Sequence, residues 1–312
     1  MDKGHDVRVA EERDLRAGTI EVDHVLLTRF NLPSTGHESL VRAKENWLRD
    51  RVELFERYCL PSVLAQTCQN FSWIVYFDPA SPGWFLDWIG EHERLGHFHP
   101  RFREHVGGAE LRADLGVVAG VGVDARAGRI LITSNLDNDD SLALDFVARV
   151  QAARAEGSRS AVYLGDGLIR TEGGLYRLVY PHNAFCSVRE SWDRPVTCWT
   201  DWHTLLSRHM PAVVLRGDPG WLQVVHGANV SNRVRGRLTR PRPHRERFLG
   251  LLDDLPEPST VRLVGDRLVA IPVRAGRESV RAGAKALLSL VAGKRGLDRA
   301  KLAWASLRRR PG

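Results

Sequence analysis

The densest chemistry in the chain lies in Asp137-Asn138-Asp139-Asp140, three carboxylates in four residues directly after the strand-forming run "RILITSNL". Adjacent negative charges repel, so solvent, an arginine or a divalent cation must compensate them. Asp137 and Asp139, two apart where a strand gives way to a turn, can bind one hard cation directly or through water. Mn2+ and Mg2+ suit oxygen ligands, and Mg2+ typically takes one or two protein carboxylates plus substrate phosphates. An EF-hand is excluded. Counting from Asp137, Leu142 stands where that loop needs glycine and Ala148 where it needs glutamate. Capping of a helix beginning at "SLAL" by Asp139 or Asp140 would explain one acid, not three.

The elements that must hold these acids alternate between strand and helix. "HVLLTRFNL", "FSWIVYFD" and "RILITSNL" read as buried strands. Between the first two, Leu48, Val52, Phe55 and Cys59 mark one face of a helix, which Pro61 restarts or kinks. "AELRADLGVVAG" begins as a helix, and "LALDFVARVQAARAEG" is a helix ending at Gly157. "RSAVYLGDGLIRTEGGLYRLVYP" alternates as strands around a Gly-Gly turn, and "WLQVVHGANVS" is a strand ending at His226. The pattern predicts an α/β fold with a mostly parallel central sheet flanked by helices. Ligands of such sheets collect at the carboxyl ends of the strands. Arg29 with Asn31, Asp78, and Asp137 to Asp140 all fall at such ends.

Residues 1–22 read as a mobile arm, 23–240 as one catalytic domain, and 241–312 as a linker followed by a basic helical extension. In that extension Val280, Ala284, Leu287, Leu288 and Val291 form one apolar stripe. The net charge of +7 is uneven: Arg274 to Gly312 holds eleven Lys/Arg against two acids, net +9, which leaves −2 for the remainder. The basic character belongs to the tail and does not argue for nucleic-acid binding by the core. A positive segment with an apolar stripe suits peripheral contact with an anionic membrane, against the plainer expectation of a solvated helix packed on the core. Cys59, Cys68, Cys186 and Cys198 have no CxxC spacing, so zinc ribbons and disulfide frameworks are not expected. The charged N-terminus has no apolar signal segment and no apolar run reaches spanning length, so a cytoplasmic, at most membrane-peripheral, protein is expected.

"ARAGRILITSNLDNDDSLALDF" resembles the region around the Asp-x-Asp motif of GT-A glycosyltransferases. More narrowly, "TRFNL", "PSVLAQTCQNFSWIVYFD", "LDNDDS" and "VVHGANVS" together resemble a bacterial rhamnosyltransferase family, over roughly Val25 to Ser231. An arginine often precedes Leu-Asp-Asn-Asp-Asp in that family; here the position is Asn135. The resemblance implies a GT-A-like domain that binds a nucleotide diphosphate sugar and transfers the sugar to an acceptor hydroxyl, glycan or lipid-linked. It implies that Asp78 bonds the nucleotide base and that Arg29, Asn31, Asp137 and Asn138 line the nucleotide-sugar pocket. Asp137 and Asp139, joined by His226, would hold Mn2+ or Mg2+ against the two phosphates. In "WTDWHTLLSR", Asp201 would be the general base with His203 as its substitute, flanked by Trp199 and Trp202 as acceptor-stacking platforms. Asp201 also suits the N-cap of a helix "WHTLLSRHM". Two rival readings stand beside this one. The acids could serve a metal-dependent phosphoesterase or nuclease, although His92, His97 and His99 have no familiar metal spacing. The nine tryptophans could instead belong to a non-catalytic carbohydrate-binding protein.

Overall fold

The computed structural model describes residues 21–33, 46–120, 128–154, 157–226 and 234–273. The arm expected over residues 1–22 (save its last two) and the basic stretch from Arg274 onward lie outside the described residues.

The three strands read from the apolar runs are β1 (Val22–Arg29), β2 (Ser72–Phe77) and β4 (Ile130–Asn135), with β3 (His99–Phe102) beyond β2. They lie side by side in parallel, β4-β1-β2-β3, at one end of a seven-stranded sheet. The sheet continues through β9 (Ser187–Ser191), β6 (Arg159–Leu164) and β10 (Ala212–Leu215). Only β9 runs antiparallel within it. A second sheet holds β7 (Asp166–Thr171), β8 (Gly174–Val179), β11 (Trp221–Val224), β12 (Arg237–Thr239) and the two-residue β5 (Ser141–Leu142). The expected Gly-Gly turn is the β7–β8 hairpin, with Thr171 opposite Gly174.

β1, β2 and β4 are each buried on both faces, which is why their sequences read as continuous apolar runs. One face packs Leu26, Trp73, Val75 and Ile132 against Phe55 and Phe85. These two come from the helical stretch α1 (Trp47–Leu54, Phe55–Cys59 and Leu60–Leu64 in succession) and from α2 (Gly83–Arg94). The other face packs Leu27, Ile74 and Leu131 against Leu111 and Leu115 of α3 (Gly108–Val118). The α/β class with helices on both faces of a mostly parallel sheet is as the sequence predicts.

Two local expectations need correction, while the one about Pro61 holds: the helix restarts at Leu60 with Pro61 in its first turn. The turn before it, Phe55–Cys59, widens to π geometry, and a π turn makes room for a ring that clashes with the carbonyl four residues back. The helix after the acids is shorter than expected, α4 (Phe146–Ala152), because Ser141–Leu142 pairs with β11. Neither Asp139 nor Asp140 caps it; its N-cap residue is Asp145, which makes no capping bond. The linker expected from Pro241 is instead packed structure. Phe248, Leu252 and Leu255 are buried with Ala143, Leu168, Leu175 and Leu222 in a third core.

Candidate active site

Parallel pairing sets the ends of β1, β2 and β4 along one edge. Leu27 lies opposite Asn135 and Arg29 opposite Tyr76. The chain then leaves β4 through Leu136, whose N–H donates to the Leu27 carbonyl at 3.0 Å, so the acid loop begins against the end of β1.

The four residues of that loop have four different environments. Asp140 is buried and its Oδ1 accepts from the Val224 N–H at 2.8 Å, so it pins β11 to the loop. Burial, then the Asp139 and Asp137 charges, push its carboxyl upward. Asn138 is buried, donating to the Phe30 carbonyl at 2.8 Å and accepting from Arg51 at 3.1 Å. Asp139 is buried with Arg51 Nη1 at 2.5 Å and His226 Nε2 at 3.0 Å, both on Oδ2. Burial alone would raise its carboxyl; the His226 hydrogen bond and the Arg51 charge outweigh that and hold it below the usual range. Asp137 alone turns outward, 3.5 Å from Asn135 Nδ2. Its side chain opens onto a cleft walled by surrounding protein. Desolvation and the neighbouring Asp139 charge push it up to about 6, and cleft water relieves part of that.

The cleft has a volume of about 690 Å³. Arg29, Asn135, Asp137, Asp201, Trp202 and His203 all line it. Its far wall is the segment after β9, clamped onto β4 by a chain of bonds. Buried Glu190 accepts from the N–H groups of Val196 and Thr197 at 3.0 and 2.8 Å. Thr197 takes a left-handed φ of 70°, and Cys198 N–H then donates to Thr133 Oγ1 at 2.9 Å. Trp199 Nε1 donates to Asn135 Oδ1 at 2.7 Å. The helix expected over "WHTLLSRHM" is a series of turns with one 3-10 turn, Leu206–Arg208, so Asp201 is no N-cap. Its Oδ1 accepts from Trp202 N–H at 2.7 Å and its Oδ2 pairs with His209 Nε2 at 2.8 Å. The His209 contact, then the Trp202 N–H, hold Asp201 below the usual carboxylate range. Burial, then Arg235 and His182, lower His203, which is therefore a neutral imidazole at pH 7.

Of the two tryptophans expected as platforms, only Trp202 projects, 74% exposed. Trp199 is half-buried, with the Arg29 guanidinium 4.0 Å from its ring. The cleft floor is Trp221, stacked on Phe185 at 5.0 Å. Gly167 permits this: a Cβ there would lie 2.1 Å from the Trp221 ring.

Arg29, Asp137 and Asp201, far apart in sequence, thus meet in one cleft. Asn31 and Asp78 meet elsewhere, in a bonded corner at the ends of β1 and β2. Asn31 Oδ1 accepts from Asp78 N–H at 3.0 Å, its Nδ2 donates to Ser81 Oγ at 3.1 Å, and Asp78 Oδ1 accepts from Ala80 N–H at 2.8 Å. Neither lines the large cleft. Asn138 is likewise engaged within the protein rather than facing the cleft. Arg51 escaped notice in the sequence because an arginine on a helix flanked by charged residues reads as solvated surface.

Among the described residues no group of three His, Cys, Asp or Glu side chains is arranged to hold a metal. Asp137, Asp139 and His226 therefore form no preassembled cage. Asp139 Oδ2 and His226 Nε2 nevertheless fit as a pair. Their 3.0 Å separation is that of adjacent ligands around an octahedral ion with bonds of about 2.1 Å. One protein carboxylate with the rest from phosphate and water matches how Mg2+ usually binds; the imidazole departs from that all-oxygen set. Arg51 shares the same oxygen and is the counter-charge in the present arrangement.

A family model described as "Putative rhamnosyl transferase" matches residues 23–238. The chain belongs to this family. No curated protein matches the chain. Among solved structures it is similar to Staphylococcus aureus TarS, at 10% identity and TM-score 0.38, covering 66% of this chain and 37% of that one. TarS 1-349 in complex with UDP gives 12% identity and TM-score 0.36, covering 66% and 61%. A "putative nucleotide-diphospho-sugar transferase" from Desulfovibrio desulfuricans G20 gives 8% and 0.31, covering 66% and 82%. The family's match runs from β1 into β12, and so includes both walls of the cleft.

Proposed function

We propose that this family member transfers a sugar, rhamnose by the family's description, from a nucleoside diphosphate to an acceptor hydroxyl bound in the 690 Å³ cleft. The observation that carries the reading is the meeting of Arg29, Asp137, Asp201 and Trp202 in that cleft, at the carboxyl edge of the parallel strands. Arg29 and Arg235 offer positive charge to the diphosphate. Asp78, fixed by Asn31, accepts a hydrogen bond from the base. Asn138 holds the acid loop against β1 and so sets where Asp137 points.

Asp139 and His226 would hold Mn2+ or Mg2+, with Asp137 turned toward the same diphosphate. Such a cation supplies Lewis-acid stabilisation of the charge that grows on the leaving diphosphate. On the opposite wall, Asp201 removes the proton of the attacking hydroxyl, a contribution worth about 10²–10⁴ in rate. His209 supports this by keeping the carboxylate ionised and oriented. Neutral His203 is the second group in the cleft able to accept that proton. Trp202 offers its face to the acceptor, a glycan or lipid-linked hydroxyl.

The test is a panel of deoxythymidine, uridine and guanosine diphosphate sugars with Mn2+, read as nucleoside diphosphate release. Release with one donor, lost in Asp201→Asn while donor still binds, supports the reading. Phosphodiester hydrolysis with no sugar transfer would replace it with the nuclease reading.

A further inference from the structure

Arg29 closes β1, is exposed, and lines the cleft. An exposed arginine samples many rotamers, and an anion that binds it loses affinity to the ordering of that side chain. Here one rotamer has support, because the guanidinium carbon lies over the Trp199 ring, 4.0 Å from its centroid. At that distance the cation meets the negative face of the indole, while the N–H edge of a stacked guanidinium stays available to an anion. The Arg29 charge also reaches Asp137, where it opposes the upward push of burial on that carboxyl.

Trp199 is itself held at three points. Its Nε1 donates to Asn135 Oδ1 at 2.7 Å, and the Asn135 amide is fixed in turn by donating to the Ala184 carbonyl at 3.0 Å. Its ring packs on Tyr76 at 5.5 Å, and the Tyr76 hydroxyl donates to buried Asp114 at 3.1 Å. Its backbone N–H donates to Thr197 Oγ1 at 3.3 Å, in the turn that Glu190 closes. Tyr76 lies opposite Arg29 in the β1–β2 register, so the two side chains leave the sheet on the same face and one indole lies against both. A stacking platform for an acceptor needs an open ring face; Trp199 gives its face to Arg29. We propose that Trp199 is a positioning residue for the donor, holding the Arg29 guanidinium in the orientation that receives the diphosphate and leaving acceptor stacking to Trp202. The proposal rests on the reading that Arg29 meets the donor's diphosphate.

The test is calorimetric binding of deoxythymidine, uridine and guanosine diphosphates to the full chain, continued with the one that wild type binds most tightly. Trp199→Leu keeps apolar bulk and removes the ring, and should weaken binding about tenfold. Trp199→Phe keeps a ring face without the N–H and should recover part of that loss. A tryptophan that merely supports the fold would weaken binding whatever stands at position 29, so the deciding comparison is a double-mutant cycle. Arg29→Met should weaken binding, and adding Trp199→Leu to it should weaken binding no further. Equal losses from Trp199→Leu with and without Arg29 overturn the positioning role, and so does unchanged binding by Trp199→Leu alone. If Trp199→Leu does not fold, the same cycle run with Trp199→Phe carries the decision. Wild type that binds none of the three diphosphates removes the donor reading and this proposal with it, whereas wild-type binding that ignores Trp199 removes the proposal alone.

Discussion

Asp137→Asn should make the protein more stable and inactive at once. Asp137 is pushed from an ordinary carboxylate value to about 6. A group whose folded value is raised favours the folded state below its unfolded value and loses that advantage as pH climbs through the folded value. The loss therefore develops between about pH 4 and 6 and is complete above. A shift of about two units corresponds to ~3 kcal/mol. The carboxylate is open to cleft water, so screening reduces this to about 1–2 kcal/mol. Asparagine keeps the shape and cannot ionise. Urea unfolding of both proteins at a series of pH values measures the difference. Asp137→Asn should be the more stable by about 1–2 kcal/mol at pH 7.5, with the gap closing toward pH 4. Nucleoside diphosphate release by the same variant should fall at least about a hundredfold, the pattern of a site that trades stability for function. A variant equal to or less stable than wild type at pH 7.5, or a gap that ignores pH, would refute the reasoning about this cleft.

Arg51→Met removes the guanidinium paired with the buried Asp139 carboxylate. A loss of about 2–4 kcal/mol in urea unfolding at pH 7.5 is expected, and an unchanged midpoint would show that Arg51 is not the compensating charge. Trp202→Ala should raise the acceptor KM about tenfold and leave donor affinity alone; a shift in donor affinity instead would move Trp202 to the donor side. His209→Gln keeps a hydrogen-bond donor toward Asp201 and removes the ring. It should hold donor affinity, lower kcat and move the acidic limb of the pH–rate profile; an identical profile would leave His209 with no part in the base.

The strands, their shared carboxyl edge and the acid loop were legible because buried parallel strands must be apolar throughout and must end where polarity returns. Leu26, Val75 and Ile132 carry that signal on their own. The partners of the acids were not legible. Arg51 reaches Asp139 across 88 residues, and nothing local distinguishes it from a solvated helix arginine. Asn31 and Asn138 sit at strand ends, where side-chain amides also satisfy turning backbone, and a sequence does not show which backbone groups they meet. The segment after Pro241 looked like a linker because its prolines and charged residues break up its apolar ones. Its core contribution rests on three spaced residues, Phe248, Leu252 and Leu255, too few to show a period. Asp201 in "WTDWHTLLSR" lines the cleft, but its surroundings were misread: a helix was expected where bonds to Glu190, Thr133 and Asn135 fix a loop.

Titration calorimetry of nucleoside diphosphates with and without Mn2+ bears most directly on the central proposal, that Asp139 and His226 meet a cation and a diphosphate beside the cleft. Wild type should bind one nucleoside diphosphate with an affinity that rises when Mn2+ is present, and Asp139→Ala and His226→Ala should each lose about 10–100-fold of that Mn2+-linked gain. Tight binding indifferent to Mn2+ and to both substitutions would contradict it, and would leave Arg51 and Arg29 as the cations that serve the diphosphate.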